Sequence, residues 1–245
     1  MSDMQPQLDI SNLSKSFGGL QALKGIDLSF QKGELVGLIG PNGSGKTTLL
    51  NIIGGYYKAS GGAVTLEGHK TDGLAPSTLA RLGIGRSFQV TKVFKRLTVL
   101  ENMLVGALAD WRLSRSSARD KAHGVLEKLK LTRLADSPAS SLSGGQAKLL
   151  EFGRIMMLDP KIVLLDEPFG GVHPELKRFM YEKIVEWNEA GATIILISHD
   201  MGSIFGLCRR VVTLSYGDII ADGDPETVRN DPAVLEAYLG DHHAA

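Results

Sequence analysis

Cysteine is nearly absent: Cys208 is the only one in 245 residues. No intrachain disulfide and no cysteine-based metal site can be built, which suits a reducing cytosol. Neither sign of charge is in excess, since 27 Lys+Arg balance 27 Asp+Glu to a formal net charge of zero. A nucleic-acid binder needs a basic stripe or surplus, so no nucleic-acid partner is expected. Long apolar runs are missing as well. The best candidates, 49–53 and 193–197, fall far short of the ~20 residues of a membrane-spanning helix. The first ten residues are polar, without the basic stretch or apolar core of a secretory signal. Internal repeats and low-complexity linkers are absent too, and any link to a membrane must come through a partner.

The composition that remains, 43% hydrophobic and 22% charged, is that of an ordinary globular protein, which excludes disordered, collagen-like and coiled-coil chains. At roughly 150 residues per domain the chain makes about 1.6 domains, one large domain or a main domain with a smaller lobe. A chain of this length buries ~70–75% of its unfolded surface.

Short apolar stretches at 8–13, 26–30 and 34–40 read as strands separated by Gly-rich turns at Phe17-Gly18-Gly19 and Lys32-Gly33. After Gly45 the pattern becomes helical through Thr48, Leu49, Ile52 and Ile53, and Gly54-Gly55 ends it. A further strand pair is expected around 63–66 and 84–88. From about 91 to 158 the texture is helical: Leu97, Leu100, Leu104 and Leu108 suit one amphipathic face, Val125, Leu126 and Leu129 a second, and a third helix starts near Gly145. Then come a buried strand at 161–165 ending in Asp166-Glu167, a helix from Pro174 to 190, an apolar strand at 193–198, and short helices at 225–229 and 232–239. Fully apolar strands alternating with helices predict a parallel sheet covered on both faces.

Gly40-Pro41-Asn42-Gly43-Ser44-Gly45-Lys46-Thr47 fits G-x-x-x-x-G-K-[ST] between a predicted strand and a predicted helix, the context that phosphate loop requires. Its glycines allow successive N–H groups to face one anion, and the helix N-terminus adds partial positive charge. Lys46 is then expected on the β- and γ-phosphates and Thr47 on Mg²⁺. The bare pattern arises by chance in roughly two or three of a hundred chains of this composition, so the flanking elements matter. The strand ending in Asp166-Glu167 completes the site: Asp166 to hold Mg²⁺, Glu167 to orient and deprotonate the attacking water. His199, after the next buried strand, falls at the same sheet end and can donate to the γ-phosphate.

Leu142-Ser143-Gly144-Gly145-Gln146 precedes a helix and arises by chance in fewer than roughly one chain in a thousand. Two glycines, a hydroxyl and a helix start make a second anion-binding end. One nucleotide has one γ-phosphate, so the economical arrangement is a two-fold dimer in which each such loop caps the nucleotide of the other protomer.

With these motifs in this order the chain closely resembles the ATP-binding cassette (ABC) ATPases, over roughly residues 8 to 240. The resemblance implies an α/β fold: a P-loop NTPase core with a parallel sheet flanked by helices, an antiparallel β subdomain and an inserted helical subdomain. It implies one nucleotide-binding domain over 1–245, with the core and β subdomain at 7–90 and 159–223, the helical signature subdomain at 91–158, and short C-terminal helices at 224–245. It also implies that Phe17 stacks on adenine and that Gln89 senses the γ-phosphate and Mg²⁺ and opens the segment contacting a membrane subunit. Thr48 and the loop Ser143, Gly144, Gly145 and Gln146 belong with Gly40–Thr47 in ATP binding on the same grounds. Thr47, Gln89 and Asp166 hold Mg²⁺, and Lys46, Glu167 and His199 carry the catalysis. At His173 the family usually has Asp or Asn, so imidazole must make the dimer-interface hydrogen bond there or the coupling between sites differs.

The stretch from Leu142 through Lys148 and Glu151 to Arg154 looks like the cassettes of branched-chain and hydrophobic amino-acid uptake systems. So do Ser87-Phe88-Gln89 followed by Val93-Phe94, and the ending Glu236-Ala237-Tyr238-Leu239-Gly240, after which no regulatory domain is expected. The resemblance therefore implies ATP hydrolysis driving amino-acid import, a second cassette subunit (identical or sister), integral-membrane permease subunits, an indirect link to a solute-binding protein, and a place on the cytoplasmic face of the cell membrane. Lys92, Phe94, Lys95 and Arg96 are candidates to receive the permease. A soluble cassette ATPase of DNA repair or translation is the alternative; its long coiled coil, second cassette or basic charge is missing. A small-molecule kinase or GTPase lacks a use for Leu142–Gln146, and no guanine-reading Asn-Lys-x-Asp is present.

Overall fold

The computed structural model describes residues 5–87, 92–107 and 114–240. Strands β1 (Leu8–Phe17) and β2 (Leu20–Phe30) form a hairpin that turns at Gly18-Gly19. Next come β3 (Leu35–Ile39), helix α1 (Lys46–Ile53), β4 (Gly61–Leu66) and β5 (His69–Lys70). Helix α2 (Pro76–Leu82) leads into β6 (Ile84–Arg86), and the helices α3 (Val99–Ala107), α4 (Arg115–Lys128) and α5 (Gly144–Met156) follow. The chain then alternates through β7 (Ile162–Asp166), α6 (Pro174–Glu189), β8 (Thr193–Ile197) and α7 (Met201–Leu207). It closes with the hairpin β9 (Arg210–Ser215) and β10 (Asp218–Gly223) and the helices α8 (Pro225–Asn230) and α9 (Pro232–Gly240).

Two sheets result. One is antiparallel, in the order β2-β1-β4-β5; the other runs β10-β9-β3-β8-β7-β6 and is parallel from β9 to β6, with β10 as an antiparallel edge. The apolar runs of β3, β7 and β8 are fully buried, as their lack of alternation predicts. Successive side chains still take opposite faces. Val163, Leu165, Ile194 and Leu196 join the core shared with the α3–α5 helices and α6, whereas Ile162, Leu164, Ile195 and Ile197 join the core beneath the antiparallel sheet. The parallel register aligns the carboxyl ends, pairing Leu38 with Ile197 and Ile197 with Asp166. The loops after β3, β7 and β8 therefore open at one edge, where ligands of such sheets bind.

The α/β architecture, the separate antiparallel sheet and the helices between β6 and β7 agree with the sequence reading. Three details correct it. The stretches around 63–66 and 84–88 are not a pair: β4 lies in the antiparallel sheet and β6 at the edge of the parallel one. Of the expected Leu97–Leu108 face of α3, Leu100 is buried and Leu104 packs partly buried against the same core, but the inner face also takes in Val99, Met103 and Ala107. Leu97 precedes the helix, because Thr98 and Glu101 exchange capping hydrogen bonds that start it, and Leu108 lies outside the described residues. Finally, α2, α7 and the β9–β10 hairpin were not anticipated.

Candidate functional site

Gly40 follows β3 at φ 142°, and a Cβ built on it would stand 2.0 Å from the Leu214 carbonyl oxygen. Only glycine fits between the loop and β9 there. Gly45 caps α1 at φ 111°, against the Ala22 carbonyl of the β1–β2 hairpin. The first turn of α1 has no acidic side chain, so its N–H groups and dipole face the loop unopposed. Lys46 is folded back over the loop: its Nζ donates to Gly40 O at 2.7 Å and Pro41 O at 2.8 Å. Asn42 to Thr48 wall a cleft of about 250 Å³ together with Asp166, Glu167, Ile197 and His199. Three chain segments far apart in sequence are thus brought together as their motifs require.

Asp166 ends β7 and is 3% exposed. Its amide donates to Ser87 Oγ at 3.1 Å, tying β7 to the end of β6. Burial pushes its carboxyl above the ordinary range, opposed by Arg86, by a hydrogen bond from Thr47 and by Lys46. Glu167 has φ 50°, a left-handed turn held by its amide donating to Ile197 O at 3.0 Å. That turn aims the side chain away from Asp166 and toward His199, whose Nε2 lies 3.5 Å from Glu167 Oε1. Burial raises the Glu167 carboxyl too, against the His199 amide and ring, while the Asp166 charge adds to the rise. Oε1 is buried and, among the described residues, makes no hydrogen bond of its own beyond the His199 contact at 3.5 Å, leaving an acceptor at the mouth of the cleft.

Thr47 and Asp166 suit Mg²⁺. A hydroxyl and a carboxylate line the same cleft, and hard oxygen donors with few protein ligands are what Mg²⁺ accepts beside phosphate. Gln89, the third residue expected there, lies outside the described residues.

Ser143 is the N-cap of α5. Its Oγ accepts from the Gln146 amide at 3.3 Å, and Gln146 Oε1 accepts from the Ser143 amide at 2.9 Å, a reciprocal capping box. Ser143 and Gly144 are exposed. A Cβ on Gly144 would meet nothing within 4 Å, whereas one on Gly145 would strike Leu176 of α6. Among the described residues, none of 143–146 lines the phosphate cleft. Phe17, at the hairpin tip, is 42% exposed, so it is not a core aromatic. Tyr57 meets it edge-on at 5.3 Å and Lys15 Nζ lies 4.7 Å above its ring. His173 is the exposed N-cap of α6, without a side-chain capping bond.

Sequence reasoning missed three contacts. Arg86 stands beside Asp166, and only the pairing of β6 with β7 in the sheet shows why. Lys148 of α5 donates to Gly170 O at 3.0 Å, fastening the helix behind the glycine loop to the turn after Glu167. Tyr238, noted only in the sequence ending, receives a hydrogen bond from Gly40. A larger cavity, about 570 Å³, sits between α4 and α6 and shares no residue with the phosphate cleft. Two of its lysines, Lys121 and Lys161, are paired with Asp159 and Glu67.

Known proteins match this arrangement. The sequence model described as ABC transporter covers residues 23–170, and one described as Branched-chain amino acid ATP-binding cassette transporter covers residues 219–244. The probable branched-chain amino acid transport ATP-binding protein LivG of Archaeoglobus fulgidus is 39% identical over 244 residues, 95% of each chain. A solved ATP-binding cassette of an ABC transporter in its ADP conformation superposes with a TM-score of 0.87 at 36% identity, covering 97% of this chain and 100% of its own. A dimeric cassette in a post-hydrolysis state with ADP and Pi gives a TM-score of 0.80 at 29% identity, covering 89% and 98%. With a family model over more than half its length and a relative nearly two-fifths identical from end to end, this chain belongs to the ATP-binding cassette family of ABC transporters.

Proposed function

We propose that this chain is the ATP-hydrolysing subunit of an importer of branched-chain or other hydrophobic amino acids, working as a two-fold dimer against membrane permease subunits. One observation carries the dimer: the glycine end of α5 is exposed and lies outside the cleft formed by Lys46, Asp166 and Glu167. One chain therefore holds two phosphate-binding ends that do not face a common space, and a second copy brings them together. The dimeric relative with ADP and Pi supports this. The LivG relative, named for branched-chain amino acid transport, and the matching tail support the substrate class. Among the described residues no helix is long and apolar enough to cross a membrane, so the proposed seat is peripheral, on the cytoplasmic face beneath a permease. A solute-binding protein acts only indirectly, and no nucleic acid is involved.

In this reading Phe17 stacks the adenine, and residues 40–48 cradle the phosphates. Lys46 leaves the carbonyls of Gly40 and Pro41 for phosphate oxygens. Thr47, Asp166 and Gln89 hold Mg²⁺, which when bound neutralises developing phosphate charge. Glu167 takes the proton of the attacking water as the water oxygen bonds to the γ-phosphorus and the bond to the β–γ bridging oxygen breaks. ADP leaves with that electron pair. His199 steadies both Glu167 and the γ-phosphate. Ser143, Gly144 and Gly145 of the second copy complete the cradle, with Gln146 holding Ser143 through the capping box. Loss of the γ-phosphate removes the cross-link, and the halves part.

Glu167→Gln tests this. The variant should lose ~10²-fold or more in turnover, the scale of general-base removal, and should run as a dimer with Mg·ATP in light scattering. Wild-type turnover, or a chain that stays monomeric with ATP both alone and with its permease, contradicts the reading.

A further inference from the structure

The segment that marks the branched-chain group, α9, reaches the nucleotide site through one side chain. The Tyr238 hydroxyl accepts a hydrogen bond from the Gly40 amide at 2.7 Å. Gly40 opens the phosphate loop, and its carbonyl oxygen, like that of Pro41, accepts from Lys46 Nζ. The two sides of this glycine are thus gripped by different partners, Tyr238 at the N–H and Lys46 at the C=O. The backbone between them is in the left-handed half of conformational space, and a Cβ there would strike the Leu214 carbonyl. Tyr238 is placed firmly. Its helix is rooted in the core by Val234, 4% exposed, and its first turn is capped by Asp231 Oδ1, which accepts from the Ala233 amide at 2.8 Å. Burial pushes the phenol up to about 12, so the hydroxyl keeps its proton across the physiological range.

We propose that Tyr238 is a positioning residue for the phosphate loop: it holds the Gly40 amide in the cradle orientation while Lys46 exchanges the Gly40 and Pro41 carbonyls for phosphate oxygens. The inference rests on the assignment of residues 40–48 to nucleotide binding and adds the C-terminal helix to the determinants of nucleotide affinity. Without the hydroxyl, Gly40 loses its anchor at the moment its carbonyl is released. The cost falls on the bound state more than on the free one, where Lys46 still holds the carbonyl.

Tyr238→Phe keeps the ring and removes the acceptor. Calorimetric titration with ADP should show affinity weakened about fivefold or more, the scale of one hydrogen bond. The KM for ATP should rise by a similar factor, with kcat within about twofold. Val234→Ala is the companion variant: it loosens the same helix by opening a small cavity and leaves the hydroxyl in place. It should lower the melting temperature and shift ADP affinity less than Tyr238→Phe does. Wild-type ADP affinity in Tyr238→Phe overturns the inference. So does equal weakening in both variants, which would make the effect one of helix packing. Failure of the unsubstituted protein to bind ADP would instead strike at the nucleotide site itself.

Discussion

Arg86 places a guanidinium nitrogen 3.6 Å from an Asp166 carboxylate oxygen, with the two side chains only 7% and 4% exposed. The pair joins the end of β6 to the end of β7, and the Tyr56 ring lies over the guanidinium at 5.2 Å. Two charges this buried are stable only together: each pays for leaving water unless the other compensates. The opposing shifts show the same balance. Burial lowers the Arg86 guanidinium and raises the Asp166 carboxyl, and each charge counters the shift in the other.

Arg86→Met should therefore destabilise the chain by ~3–5 kcal/mol, the range for removing one partner of a buried pair. Adding Asp166→Asn should recover part of that loss, because the stranded carboxylate is gone. Urea unfolding of the two single variants and the double variant decides the matter. Additivity within ~0.5 kcal/mol would show that the two groups do not interact energetically.

Gly144 separates folding from assembly. It sits at the exposed start of α5, with open space where a Cβ would be. Within one chain Gly144→Ala is accommodated, and replacing glycine in a helix adds about 0.5–1 kcal/mol of stability. Across the proposed dimer the added methyl stands where a phosphate of the second copy approaches the helix N-terminus. The expected result is an unchanged or higher melting temperature with ATP-driven dimerisation, measured in the Glu167→Gln background, weakened about tenfold or more. Undiminished dimerisation would remove the α5 end from the shared site. Gly40→Ala is the contrasting case, since its Cβ would collide with the Leu214 carbonyl, and the folded chain itself should suffer.

What could be read from the sequence was whatever is encoded locally. The phosphate loop, the acid-ended strand and the glycine helix start each carry their chemistry within a few consecutive residues, and β3, β7 and β8 announce themselves as unbroken apolar runs. Pairings that depend on sheet order could not be read. β4 and β6 looked alike in the sequence yet joined different sheets. The Arg86–Asp166 pair, the Lys148 clamp on Gly170 and the Tyr238 bond to Gly40 each link residues far apart in sequence, so spacing holds no trace of them. The capping box at Ser143 lies between these cases. Its S-x-x-Q spacing stands in the sequence, but only the structure shows that the Gln146 carbonyl holds the Ser143 amide.

The pH dependence of turnover follows from the surroundings of Glu167. Burial holds its carboxyl above the ordinary carboxylate range, Asp166 pushes it the same way, and the His199 amide and ring and Lys46 pull it down. The proposed base must be ionised, so turnover should fall on acidification through a value above the ordinary carboxylate range. Stability runs the other way for this group. With the folded value raised above the unfolded one, its contribution is full below the unfolded value and is lost as pH rises through the folded one. His199→Ala removes one of the lowering influences, the ring 3.5 Å from Oε1. The acid limb of the variant, normalised to its own plateau, should therefore move to higher pH even though the plateau itself drops. A pH–rate profile of the two proteins settles it: a limb that stays in place, or moves to lower pH, would mean that His199 does not act on the Glu167 carboxylate and that the group titrating in turnover is another.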